Sequence, residues 1–242
     1  MWIERELLER EALNSMTESN DPIGSSALNI SLRRAGVYVS DATVGRLLSE
    51  FDYKGFTVKQ GYRGRLITEK GLGRLKKLCE KLECQDLSEK LYSTLDAQSK
   101  DNLIDVLTAR RGIEREIARL AALKATPEDI ALIQEAFDLQ AKQAEHGVLT
   151  YEGDLMFHQA VAAASKNMVL IATYDFIWQN GKFSPLMEYV RTSVGGKLVN
   201  DHGKILAAIA DNDPHAAEQA MVAHIESLIG DVDKYWSDVE KM

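Results

Sequence analysis

Tyr151-Glu-Gly-Asp154-Leu-Met-Phe-His158-Gln-Ala-Val-Ala-Ala-Ala-Ser165 is the stretch on which the fold and the chemistry both turn. It has the pattern of a helix, and Asp154 and His158 stand four apart in it, one helical turn, so both side chains share a face. Two more imidazoles follow on later helical stretches, in His202-Gly-Lys-Ile-Leu206 and Met221-Val-Ala-His224-Ile225. One carboxylate and three imidazoles from three helices could close around a single divalent ion. Nitrogen and oxygen donors without thiolates suit zinc first, with nickel, manganese or iron as alternatives. Four protein ligands on an octahedral ion leave two positions open, enough for a small carboxylate to chelate.

The surrounding sequence is helical throughout. Leu103, Ile104, Leu107, Ile113, Ile117, Leu120 and Leu123 form a long stripe, and Thr126-Pro127-Glu-Asp129 starts a further helix with Pro in its first turn. Helices are expected over about 127–145, 151–165, 168–179, 185–210 and 214–236, with Gly195-Gly196 breaking the fourth of these. Asp213-Pro214 opens the last. Residues 85–100 are polar and mixed and read as a connector.

The first third differs. Helices are expected over 2–16, 25–34 and 41–53, the third capped by Ser40 and stopped by Gly55. Phe56-Thr-Val-Lys-Gln60 and Arg65-Leu-Ile-Thr68 then flank the turn Gly61-Tyr-Arg-Gly64, which is a hairpin, and helix resumes from Glu69 to about Glu83. Three helices followed by a basic hairpin is the order of a winged helix-turn-helix. In that fold the third helix enters the major groove and the hairpin grips the backbone.

Charge agrees with this division. The 242-residue chain has a net charge of −8, yet residues 33–84 carry twelve Lys and Arg against six acids, while residues 85–242 carry fifteen bases against twenty-five acids. A basic head on an acidic body fits one part meeting a polyanion such as double-stranded DNA. Ser40, Thr43 and Arg46 on the third helix, Lys59, Arg63 and Arg65 on the hairpin, and Arg33 and Arg34 at the end of the second helix are the DNA-contact candidates. Asp41, at the front of the third helix, complements the helix dipole. No apolar run approaches the roughly 20 residues that span a bilayer, and the N-terminus lacks a signal-peptide pattern, so a cytoplasmic location is expected. Cys79 and Cys84 are the only cysteines, and their spacing makes no metal knuckle.

The C-terminal part, about residues 100–236, resembles the FadR C-terminal (FCD) ligand-binding domain of GntR-superfamily transcription regulators. The resemblance is carried by Arg111-Gly-Ile-Glu114 with Leu120-Ala-Ala122, Ala125-Thr-Pro-Glu128, Asp154-Leu-Met-Phe-His158, Ala164-Ser-Lys-Asn167, the run from His202 to Asp213, and Ala217 through Ala220-Met221 to His224. It implies a mainly α protein, with a winged helix-turn-helix followed by an all-α FCD-type bundle. Its expected divisions are a DNA-binding head over 1–84, a connector over 85–100 and a metal- and effector-binding body over 101–242. In metal-containing members the matching Asp and three His hold a divalent ion. By resemblance that role falls to Asp154, His158, His202 and His224, with Arg111 and Asn167 as effector-binding candidates.

The usual effector of such regulators is a small organic acid, and the working form is a homodimer. Arg111 has an alternative role in a salt bridge to Glu114 or another acid, and Asn167 in a helix cap. The head departs from the GntR pattern. Ile23-Gly-Ser-Ser-Ala-Leu28 and Val39-Ser-Asp-Ala-Thr-Val-Gly-Arg-Leu-Leu48 look more like the winged helix of NrpR-type nitrogen repressors. The expected function is therefore a metabolite-responsive DNA-binding regulator without enzymatic activity. A metal-dependent hydrolase or isomerase on a helical bundle is the alternative. Glu152, Asp201 and Tyr151 lie near the metal ligands in sequence, but none stands out as a poised acid or base. A metal that only ties helices together is a third reading.

Overall fold

The computed structural model describes residues 2–19, 21–95, 99–145, 151–179, 183–194 and 198–240. The chain forms two compact units, residues 1–90 and 91–242.

In the first unit, α1 (Trp2–Glu18), α2 (Ser25–Arg34) and α3 (Asp41–Lys54) precede a hairpin of β1 (Thr57–Lys59) and β2 (Arg65–Ile67), followed by α4 (Glu69–Thr94). Val44, Leu47, Leu48 and Phe51 recur at helical spacing on α3 and are buried against Leu13, Leu28, Leu32 and Leu78. Each such side chain, fully buried, contributes roughly 1.5–3 kcal/mol. Ser40 Oγ accepts from Thr43 N to start α3, and Gly55 ends it in the left-handed conformation (φ 71°). Asp41 accepts a hydrogen bond from the buried Asn29 amide, which pins α2 to α3 at the turn between them.

The hairpin pairs antiparallel, Thr57 with Ile67 and Lys59 with Arg65. Its tip is a 3-10 turn over Gly61–Arg63. Gly64, at φ 123°, lies so close to the chain that a Cβ there would stand 2.4 Å from the Ile23 carbonyl carbon. That approach permits the mutual backbone bonds of Ile23 and Arg65, 2.9 Å each, which anchor the hairpin to the segment before α2. The expected order of helices and hairpin is present. The difference lies at α4, which continues to Thr94 instead of stopping near Glu83. Residues 84–94 contain no Gly or Pro, so nothing breaks the helix, and the polar stretch taken for a connector is largely its solvated continuation. Residues 96–98 of that expected connector lie outside the described residues.

The second unit is a bundle of α5 (Lys100–Lys124), α6 (Pro127–Glu145), α7 (Tyr151–Ala164), α8 (Met168–Gln179), α9 (Phe183–Val194), α10 (Leu198–Ala210) and α11 (Pro214–Val239). Helix α5 packs most extensively on α11, α10 lies against α11 and α6, and α7 against α5 and α6. Its helix starts are written in short polar side chains. Ser99 caps α5, Thr126 and Asp129 cap α6 reciprocally, and Asp213 caps α11 ahead of Pro214. The expected break at Gly195-Gly196 lies outside the described residues, between α9 and α10. The core includes Leu103, Leu107, Ile117, Phe157, Val161, Ile205, Ile209, Met221 and Ile225. Among the described residues no helix is long and apolar enough to cross a membrane.

Candidate metal and effector site

Three helices of the bundle bring four side chains to one interior point. Asp154 and His158 come from α7, His202 from α10 and His224 from α11, and one ligand atom from each lies within 4.8 Å of all the others. His158, His202 and His224 are buried, and Asp154 is partly so. His158 Nε2 is 3.2 Å from His224 Nε2. Asp154 Oδ1 stands 3.4 Å from His202 Nε2 and 3.9 Å from His158 Nε2. Two donors each about 2.1 Å from one ion, at right angles, lie about 3 Å apart, so these separations are close to those of donors that share one cation. Asp154 Oδ1 and His202 Nε2 are buried without a hydrogen-bond partner. Buried polar atoms are normally satisfied, and a divalent ion would satisfy both.

Neighbouring side chains decide which nitrogen each ring presents. His158 Nδ1 lies 2.6 Å from Glu114 Oε2 on α5, and His202 Nδ1 lies 2.6 Å from Gln140 Oε1 on α6. Both contacts place the proton on Nδ1 and turn Nε2 toward the common point, the usual arrangement behind a metal-bound histidine. Phe157 stacks on the His202 ring, with centroids 4.2 Å apart and planes 9° from parallel. Gly203 lets α10 approach Phe137, 3.4 Å from where a Cβ would be. The rotamer of His202 is thus fixed by packing as well as by Gln140.

Burial, reinforced by the neighbouring positive charges, holds His202 and His224 well below the ordinary imidazole range. They stay neutral, the form that binds metal. Glu114 behaves oppositely. Burial alone would raise its carboxyl, but the charge of Arg110 and contacts with Arg110 and His158 bring it down to about 2. Arg110 Nε donates to Glu114 Oε1 at 2.6 Å, and its guanidinium lies 4.2 Å over the Trp178 ring. A second buried cation, Arg191 on α9, makes a 3.3 Å ion pair with Asp231 Oδ2.

The structure brings together all four expected metal ligands but not the two expected effector contacts. Arg111 faces outward, 3.4 Å from Glu226 and about a third exposed, in a surface groove with Thr108, Arg115 and Val222. The buried arginine is its neighbour Arg110, because one residue is 100° of helix rotation. Asn167 Oδ1 accepts from Val169 N and Leu170 N, so it caps α8. Sequence reasoning missed Glu114 and Arg110 as a site pair, although a signal existed. Both fall on the apolar stripe of α5, between Val106–Leu107 and Ile117, where a charged i, i+4 pair must be buried. Gln140 and Arg191 carried no comparable mark.

In the head, Arg33, Arg34, Arg46 and Arg63 are exposed. Lys59 is 66% exposed and 3.6 Å from Asp52. Ser40 and Thr43 hydrogen-bond each other at 2.9 Å within the cap. Arg65 differs from expectation. Its Nε donates to both Asp52 oxygens at 3.0 and 2.9 Å, and the side chain is only 17% exposed, so it braces the hairpin from inside.

A buried three-histidine, one-carboxylate pocket in an all-α bundle behind a winged helix defines the class. The family model described as the FCD domain matches residues 105–227, and one described as the Ribonuclease R winged-helix domain matches residues 10–75. The first spans about half of the chain, and the chain belongs to the FCD family of GntR-type regulators. It is 32% identical over 131 residues to the Uxu operon transcriptional regulator of Escherichia coli (strain K12), covering 51% of each. It is 35% identical over 136 residues to the putative L-lactate dehydrogenase operon regulatory protein of the same strain, covering 54% of this chain and 52% of the relative. The chain thus spans about half the length of these curated relatives. The solved structure of E. coli McbR/YncC aligns over 97% of both chains at 15% identity, with a TM-score of 0.51, a likeness of fold.

Proposed function

We propose that the chain is a DNA-binding transcription regulator whose helical unit senses a small organic acid beside a bound divalent metal. The observation that carries this is the convergence of Asp154, His158, His202 and His224 inside an FCD bundle, with imidazole tautomers preset by Glu114 and Gln140. Those four residues would hold the ion, zinc first among the candidates, and the ion would supply a Lewis-acidic centre with positions open to an oxygen donor. The chain's own contribution is to exclude water and to fix the donors in place. The relatives are named as operon regulators, which favours regulation over a metal-dependent enzyme, and one is named for an L-lactate dehydrogenase operon.

The head would meet duplex DNA through α3 and the hairpin, with Arg46 toward base edges and Arg33, Arg34, Lys59 and Arg63 toward phosphate. A homodimer in the cytoplasm would place two heads on half-sites about one helical turn apart. The acid alters DNA affinity only if it binds one arrangement of the heads better than the other. A gel-shift titration of metal-loaded protein on its own promoter region, with and without small carboxylates, tests this. An acid that binds the bundle should change DNA affinity, and tight binding without any such change refutes the sensor.

A further inference from the structure

The head has three tyrosines, and all of them stand in the open. Tyr38 is 79% exposed, Tyr53 is 92% exposed and Tyr62 is wholly exposed. Among the described residues, none makes a ring contact or a side-chain hydrogen bond with any of the three. One exposed aromatic side chain is ordinary on a soluble surface. Three on one small basic unit, each on well-anchored backbone, form a pattern.

Tyr38 lies between Val37 and Val39, which pack on the head core and leave it facing outward. Tyr53 belongs to the side of α3 opposite Val44, Leu47, Leu48 and Phe51. Ala42, Arg46, Ser49 and Tyr53 follow one another there at steps of four, three and four residues, and all are exposed. Tyr62 occupies the hairpin tip, across which Gln60 N donates to Gly64 O at 2.8 Å. Asp52, next to Tyr53, accepts from Thr57 Oγ1 at 2.7 Å and from Arg65 Nε, so the end of α3 and the hairpin share one frame. Cations alternate with the rings along the chain: Arg34 before Tyr38, Arg46 before Tyr53, and Lys59 and Arg63 on either side of Tyr62, all exposed.

Rings that stack on bases, interleaved with cations that hold phosphates, suit an unpaired strand. A duplex hides its base faces, and a ring reaches them only by unstacking a paired step, which offsets the gain. Tyr38 and Tyr53 flank opposite ends of α3, whose 14 residues rise about 20 Å. Successive bases of one strand are only about 3.4 Å apart, so a duplex would have to open at separate places to satisfy these rings. On the outward stripe of α3, Arg46 alone has the fork that reads a base edge.

We infer that the head has a second activity: it binds single-stranded nucleic acid, stacking unpaired bases on Tyr38, Tyr53 and Tyr62 while Arg34, Arg46, Lys59 and Arg63 hold the phosphates. This goes beyond operator recognition. It uses the same surface, so single strand and duplex compete for it.

The test uses the full chain and fluorescence anisotropy with labelled oligomers of equal length: oligo(dT), oligo(rU), an abasic deoxyribose-phosphate strand and a mixed-sequence duplex. Binding of the chain's own promoter duplex is measured in parallel. Wild type should hold oligo(dT) or oligo(rU) more tightly than the abasic strand and at least as tightly as the mixed duplex. Whichever of the two binds more tightly identifies the sugar the head prefers. Tyr38→Ala, Tyr53→Ala and Tyr62→Ala should each weaken the single strand by roughly 5- to 100-fold. The corresponding Tyr→Phe changes should keep the affinity, because the ring and not the hydroxyl does the stacking. The salt slope should stay unchanged in all of them, since no phosphate contact is lost. Thermal melts check that each variant is folded.

Equal affinity for oligo(dT) and the abasic strand overturns the inference, as does a loss within twofold in all three Tyr→Ala proteins. Tyr→Ala changes that weaken the promoter duplex and leave the single strands untouched assign the rings to the operator, and the inference again fails. Binding of the promoter duplex without the single strands overturns the inference and leaves the regulator reading intact. Binding of the single strands without the promoter duplex does the reverse. Binding of neither refutes both.

Discussion

Replacing Glu114 with Gln removes a charge from behind His158 while nearly preserving shape. The Glu114 carboxyl sits at about 2 against its ordinary 4.5, a difference worth about 3 kcal/mol. Arg110 at 2.6 Å and His158 at 2.6 Å share it. Loss of the carboxylate that orients a ligating imidazole predicts that Glu114→Gln weakens metal binding by roughly 10- to 100-fold, about 1.4–2.8 kcal/mol. Glu114→Leu should cost more, because it also releases the Nδ1 tautomer. Either change leaves Arg110 buried without its carboxylate, which destabilises the bundle. The variants are therefore paired with Arg110→Met, which removes the stranded charge. The assay is competition for zinc against a chromophoric chelator at pH 7.5, with helix content checked in parallel. Zinc affinity within twofold of wild type in a folded Glu114→Gln protein would show that the carboxylate does not tune the site.

Four further outcomes follow from the geometry. Gly64→Ala forces a Cβ against the Ile23 backbone at φ 123° and should destabilise the head by roughly 2–4 kcal/mol without changing zinc stoichiometry; a melt indistinguishable from wild type would refute the close approach. Arg63→Ala should weaken DNA binding and reduce the slope of log affinity against log salt by about 1. Arg74→Ala, whose guanidinium is forked onto Glu9 at 2.8 and 2.9 Å, should lower head stability and leave that slope alone. Finally, His202 and His224 are held well below the ordinary imidazole range, so below about pH 6.5 the unfolded chain takes up protons that the folded, chelator-treated protein refuses. Stability should be full above that pH and fall as pH drops below it, as thermal melts from pH 7.5 to 5.5 would show.

The Asp/His cluster was readable because its signal is local at one end and chemically distinctive at the other: an Asp-x3-His turn, then two histidines on apolar helix faces. The residues behind it were not readable. Gln140 is a polar side chain on a helix with many, and only the fold reveals that His202 packs opposite it. Arg111 and Arg110 show how a one-residue slip in helix phase exchanges an interior group for a surface one. Arg65 was legible as basic but not as internal, because Asp52, thirteen residues earlier, turns it inward. The length of α4 was misjudged from composition, since a solvated polar helix and a linker draw on the same amino acids.

Trp178 makes the bundle self-reporting. Its ring lies 4.2 Å from the Arg110 guanidinium and 5.8 Å from the centre of the His158 ring. An indole so near the donor set is a built-in lamp. A paramagnetic ion such as nickel or copper, seated among those imidazoles, would dim its emission, whereas zinc would leave it bright. Occupancy could then be followed by fluorescence without any label.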